Sequence, residues 1–186
     1  MKSTLPVRGR TVAMAAIAAV LLGLLLGAVD SKADTGGYSS AAPQPVVAPT
    51  ARAALSSDNR TAMIPQGAPE AVVKAITAAN QITRKPYKWG GGHVRWNDTG
   101  YDCSGSVSYV LHAAGLLRTS RDSTGFTGYG YKGKGRWITI FANGGHAYMV
   151  IAGLRFDTSG RGEDGPRWRV ETRSNSGFVK RHPGYL

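Results

Sequence analysis

Cysteine is nearly absent from this chain: Cys103 is the only one in 186 residues. No intramolecular disulfide can form, so any fold rests on a hydrophobic core alone. Glutamate is scarce as well, with only Glu70, Glu163 and Glu171. None lies near the glycine-rich stretch that precedes the cysteine, which disfavours a lysozyme-like glycosidase with its paired carboxylates. There is no His-Glu-x-x-His and no close His/Asp cluster with ligand spacing, so no metal or other cofactor is expected. No nucleic-acid-binding motif is present. Gly128-Tyr129-Gly130-Tyr131-Lys132-Gly133 has dinucleotide-fingerprint spacing. It lacks a leading strand, a following helix and a later acidic residue, and is read as a surface loop at the rim of a cleft.

Acidic residues are few, 11 against 23 basic ones, for a net charge of +12. Residues 1–33 account for +3 of this (Lys2, Arg8, Arg10 and Lys32 against Asp30), leaving +9 on the remainder. Such a balance suits anionic partners, above all wall polymers or a lipid surface, and equally a merely solvated surface. Long apolar runs are limited to one, residues 11–29, preceded by Lys2, Arg8 and Arg10 and followed by Ser31-Lys32-Ala33. Residues 1–33 therefore read as a signal peptide cleaved before Asp34 or as a retained membrane anchor, the run being close to the ~20 residues that span a bilayer. Either way the rest of the chain is expected outside the cell membrane, secreted or tethered. Residues 34–64, rich in Ala, Pro and Ser, read as an extended linker. Residues 65–186 are then a single domain.

Within that domain, Pro69-Glu70 opens a helix of about 14 residues burying Val72, Val73, Ile76, Ala79 and Ile82, with Arg84-Lys85 in its last turn before Pro86. A loop with three consecutive glycines, Gly90-Gly91-Gly92, lets backbone approach either a neighbouring segment or a ligand. Tyr87, Trp89 and Trp96 flank it as candidate groove residues. From Asp102 the residues Val107, Val110, Leu111 and Ala114 recur at helical spacing, and Gly115 ends the run. Cys103 thus stands in the first turn of a helix, where unpaired N–H groups and the helix dipole favour its thiolate. Strands are expected at residues 137–141, 146–152, 154–158 and 168–172. Helices packed on a short antiparallel sheet make an α+β domain.

A thiolate needs a base, and four histidines compete. His112 is nine residues along the same helix, rotated about 180° from Cys103, and cannot reach it. His93 lies in the glycine loop and His182 near the chain end. His146 opens the most apolar strand directly after Gly144-Gly145, a rigid place for a base. Cysteine first and histidine second in sequence, brought together in space, is the order of cysteine hydrolases.

Tyr87-Lys88-Trp89-Gly90-Gly91, Asp102-Cys103-Ser104-Gly105, and Gly145-His146 before an apolar strand resemble the NlpC/P60 family of cell-wall cysteine peptidases, over about residues 69–158. The resemblance implies a papain-like NlpC/P60 domain and hydrolysis of amide bonds in peptidoglycan stem peptides, commonly by a D,L-endopeptidase. It implies Cys103 as nucleophile and His146 as base. An orienting residue follows on the next strand, where Asp157 is favoured over its neighbour Thr158. The Cys103 N–H and the Tyr87 hydroxyl would stabilise the oxyanion, with Asp102 and Ser104 facing the stem peptide. Two alternatives stay open: a catalytically inactive wall-binding module of the same fold, and an N-acetylmuramoyl-L-alanine amidase. Ser106 and Ala147-Tyr148 depart from the family pattern, standing where a large apolar residue and Val-Gly are usual.

Overall fold

The computed structural model describes residues 52–160, 165–170 and 172–186. These belong to the second of two units into which the chain divides, Pro45–Leu186. The expected signal or anchor segment and the linker up to residue 51 lie outside the described residues. Among the described residues no helix is long and apolar enough to cross a membrane.

The elements run β1 (Ala54–Leu55), β2 (Ala62–Met63), α1 (Glu70–Ile82), α2 (Cys103–Ala113), α3 (Ser123–Phe126), β3 (Tyr131–Lys132), β4 (Ile138–Ala142), β5 (Ala147–Ile151), β6 (Leu154–Asp157), β7 (Arg167–Arg169) and β8 (Val179–His182). Six strands form one antiparallel sheet in the order β3-β8-β4-β5-β6-β7. The domain is therefore mixed α and β, with helices on an antiparallel sheet. Helices α1 and α2 pack on each other and both meet β5, while α3 lies on β4.

Strand alternation explains the layering. Ile138, Ile140 and Ala142 of β4, Ala147, Met149 and Ile151 of β5, and Phe156 of β6 join Val72, Ile76, Val107 and Leu111 of the helices in one core. The intervening residues Phe141, Tyr148, Val150, Arg155 and Asp157 take the other face. At the β5–β6 turn, Ala152 and Gly153 both have positive φ (46° and 82°), the conformation of a two-residue hairpin.

Several boundaries differ from expectation. Residues 52–64 are not linker: β1 and β2 form an antiparallel hairpin, and Ala53 and Ala62 are buried in the core. Asn80 of α1 holds the hairpin, its side chain accepting from the Ala62 N–H (2.9 Å) and donating to the Ala62 carbonyl (3.0 Å). The same Asn80 oxygen accepts from Trp168 Nε1 at 2.7 Å. Helix α1 stops at Ile82, so Arg84 and Lys85 lie beyond it. Its buried face uses Ala75 and Ala78, with Val73 left half-buried at the rim. His182 is not at a loose end, since β8 pairs with both β3 and β4. The segment after Gly115 is also packed rather than a free loop. Phe126 and Tyr129 are buried, Ser120 Oγ donates to the His93 carbonyl (3.0 Å), and the Arg121 N–H donates to Ser108 Oγ (3.0 Å).

The glycine loop exists to let backbone meet backbone. A Cβ on Gly105, in the first turn of α2, would lie 1.9 Å from the Gly91 carbonyl oxygen. The close partner of Gly91 is thus a neighbouring segment of the protein. Gly105→Ala is expected to lower stability by about 3 kcal/mol, because neither backbone can yield. Urea unfolding measures it, and an unchanged midpoint would show that the loop is free to move.

Candidate active site

Cys103 is the first residue of α2, and Asp102 caps the helix, its Oδ1 accepting from the Gly105 N–H at 2.6 Å. In that position the Cys103 N–H has no acceptor within the helix. The segment before the glycines is tied to the same point. Tyr87 bridges Tyr101 in parallel, with the Lys88 N–H donating to the Tyr101 carbonyl and the Tyr101 N–H to the Pro86 carbonyl. Tyr87 is thereby pinned beside Cys103. Burial raises the Tyr87 hydroxyl's pKa, and the negative charges of Cys103 and Asp102 raise it further.

His146 enters from the start of β5. Its Nε2 is 2.8 Å from Asp157 Oδ1, with Asp157 fully buried at the end of β6. The register pairs Met149 with Phe156, which sets Asp157 opposite Tyr148 and one step from His146. With Nε2 turned to Asp157, Nδ1 is the nitrogen left for the sulfur. Burial pushes the Cys103 thiol up, but hydrogen bonds from the His146 ring and the Ala147 N–H, with the imidazolium charge, outweigh it and hold the thiol below its ordinary value. For His146 burial acts downward, and hydrogen bonds to Asp157 and Cys103 overcome it, raising its pKa to about 9. The two directions together favour a thiolate–imidazolium pair near neutral pH.

Asp157 keeps its charge despite burial because it is well supplied with donors. Burial raises its pKa, and bonds from His146, the Ser159 N–H and Arg173 bring it below the usual carboxylate value. Arg173 Nη1 donates to Asp157 Oδ2 at 2.8 Å and to Ser159 Oγ at 2.7 Å, and Arg155 Nε is 3.6 Å from Oδ2. The guanidinium of Arg173 also lies over the Tyr148 ring, 4.8 Å from its centre. Arg155, Ser159 and Arg173 were not singled out by sequence. Two of them stand two residues either side of Asp157, so strand alternation would have put Arg155 on its face. Arg173 carries no such local signal.

The remaining sequence-selected residues divide. Cys103, His146, Asp157 and Tyr87 come together, and the Asp157 carboxylate, not the Thr158 hydroxyl, meets the imidazole. Asp102 and Ser104 are next to the cysteine but turned inward, 7% and 4% exposed. Asp102 accepts from Gly105 N–H, Gly90 N–H (3.0 Å), His93 Nε2 (3.0 Å) and Ser104 Oγ (3.2 Å). With four donors on one carboxylate, its evident work is joining the glycine loop to the helix start. Burial raises the Asp102 pKa, and these bonds outweigh it and keep the group ionised. In return the bond to Asp102 raises the pKa of His93, against burial. A second histidine therefore stands within electrostatic reach of the sulfur.

His112 is elsewhere, bonded through Nδ1 to the Leu117 carbonyl and stacked on Trp96 at 3.8 Å. Trp96 is thus drawn to the far side of α2, leaving Trp89, 87% exposed, as the open aromatic of the glycine loop. Ser106 is buried and donates to the Cys103 carbonyl at 2.8 Å, which accounts for a small polar residue behind the cysteine. Among the described residues no group of three or more His, Cys, Asp or Glu side chains is placed to hold a metal ion. Compared with protein-family models and with curated proteins, the chain matches none.

Proposed function

We propose that the chain is a cysteine peptidase acting on the peptide stems of peptidoglycan, outside the cell membrane. The observation that carries this reading is the line Cys103–His146–Asp157: a helix-start thiol with a lowered pKa, an imidazole with a raised one, and a buried carboxylate 2.8 Å behind it. A helix-start cysteine against a strand-start histidine is in keeping with the papain-like NlpC/P60 arrangement that the motifs resemble. The positive charge suits an anionic wall, and residues 11–29 would deliver the chain there.

In this mechanism the Cys103 thiolate attacks the carbonyl carbon of a stem-peptide amide. The oxyanion is met by the Cys103 N–H and the Tyr87 hydroxyl. His146, protonated at Nδ1, gives that proton to the leaving amine, and the acyl group remains as a thioester. Water then loses a proton to His146 and displaces the sulfur. Asp157 holds the ring in place and stabilises its positive form throughout.

The test is digestion of purified peptidoglycan by the chain and by Cys103→Ala, with released fragments identified by mass spectrometry. Cysteine-dependent cleavage between D-glutamyl and the following diamino acid supports the D,L-endopeptidase reading. Release of whole stems would assign an amidase instead. Binding to the wall without any fragments would make the chain a wall-binding module.

A further inference from the structure

Two histidine–aspartate pairs meet at the start of α2, and the mechanism above uses only His146 with Asp157. The other is His93 with Asp102. His93 Nε2 lies 3.0 Å from Asp102 Oδ1 and 3.3 Å from Ser104 Oγ. Both members are largely enclosed, their side chains 22% and 11% exposed. The backbone of His93 is tied down as well, since Ser120 Oγ donates to its carbonyl.

An ionised carboxylate beside a nucleophilic thiolate works against it. Burial pushes the Cys103 thiol up, and the negative charge of Asp102 adds to that push. Yet Asp102 has structural work that needs both its oxygens, Oδ1 capping α2 through the Gly105 N–H and Oδ2 accepting the Gly90 N–H. A cation on the carboxylate resolves the conflict, because it cancels the charge and leaves those hydrogen bonds in place.

The surroundings of His93 favour that cation. The bond to Asp102 raises its pKa against burial, helped by the charges of Asp102 and Cys103 on α2 and of Asp122 before α3. Arg121, next to Asp122, is turned to the Gly125 carbonyl. On the glycine loop itself Lys88 and Asp98 pair with each other at 2.7 Å, and Arg95 is exposed to solvent. The imidazolium is present below the raised value and lost above it, so its support is complete at the acidic end, where the thiolate is hardest to form.

We propose that His93 is a positioning residue for the nucleophile: its imidazolium cancels the charge of the Asp102 carboxylate, so that the cap of α2 stays ionised beside a thiolate. This rests on Cys103 being an activated nucleophile, and not on which substrate it attacks.

Iodoacetamide labelling of the full chain across about pH 5–8 tests it without a substrate, each rate on the acidic limb being taken relative to the same variant's plateau. His93→Gln keeps an N–H for Asp102 and drops the charge, and is expected to slow the acidic limb about threefold. Asp102→Asn still caps the helix and drops the opposite charge, and is expected to speed that limb about threefold. The double variant, neutral like the intact pair, should return to the parent profile. A purely structural pair behaves differently, since either variant breaks the same bond and both would shift the profile alike. Shifts of the same sign, or a double variant as slow as His93→Gln, would overturn the assignment. If His93→Gln does not fold, Asp102→Asn decides alone, and an acidic limb no faster than the parent's would overturn it. A steep parent profile removes the activated thiol itself, whereas a flat parent profile that these variants leave unmoved removes only the role of His93.

Discussion

Iodoacetamide is expected to modify Cys103 with a pH profile far flatter than that of an ordinary thiol. A thiol of pKa ~8.5 loses about 75-fold in thiolate between pH 8 and pH 6, and its labelling rate falls with it. Cys103 has a lowered pKa, so its thiolate forms at lower pH and persists above that point. The stabilising imidazolium is present below the raised His146 value of about 9 and is lost above it. The window between the two titrations holds the ion pair, and its edges belong to the pair rather than to either residue. His146→Ala removes the largest stabilising partner of the thiolate and should restore the steep ordinary profile. If cleavage is the function, its rate falls on the alkaline side near pH 9, where the leaving amine loses its proton donor. A steep profile in the parent chain would sink the activated-thiol reading whatever the substrate.

How much of this was legible in the sequence depends on the range over which each feature is encoded. The start of α2 is local: Asp102 caps it, Gly115 with φ +73° ends it, and both signals sit within a few residues of the helix. The strands β4 and β5 are likewise written in their β-branched and aromatic runs. The His146 position follows from the strand start and the preceding glycines. Asp157 was reached through the family resemblance and its spacing, and the structure places it on the imidazole. What escaped is tertiary. The hairpin of residues 54–63 reads as linker because its two-residue strands carry no periodicity, and it is held from far along the chain, by Asn80, 18 residues beyond Ala62, and by the Ala152 carbonyl, which accepts from the Ala53 N–H. The inward turn of Asp102 could not be foreseen, since its four donors come from Gly90, His93, Ser104 and Gly105 on either side of a loop. Arg173 reaches Asp157 from 16 positions away, and no local spacing ties the two residues together.

Those arginines make Asp157→Asn the substitution with the widest expected consequences. The amide is similar in size but carries no charge, so the imidazolium loses its counter-ion and the ring its hydrogen-bond preference. Amide cleavage is expected to fall by about 10²- to 10⁴-fold, and the labelling profile of Cys103 to steepen toward that of an ordinary thiol. Stability should fall too, by about 3 kcal/mol, because Arg155 and Arg173 then face each other across a neutral group in a mostly buried place. The sign with pH follows from the lowered carboxyl: the stabilisation is present above its unfolded pKa and lost as the pH drops through the folded one. The two effects separate in the double variant Asp157→Asn with Arg155→Gln. Relieving one buried cation should recover part of the stability and none of the activity, since nothing in it returns a negative charge to His146. Urea unfolding and the labelling profile read the two independently. Recovery of both together would mean that Asp157 acts on the cysteine only by holding the sheet, and the carboxylate would lose its place beside Cys103 and His146.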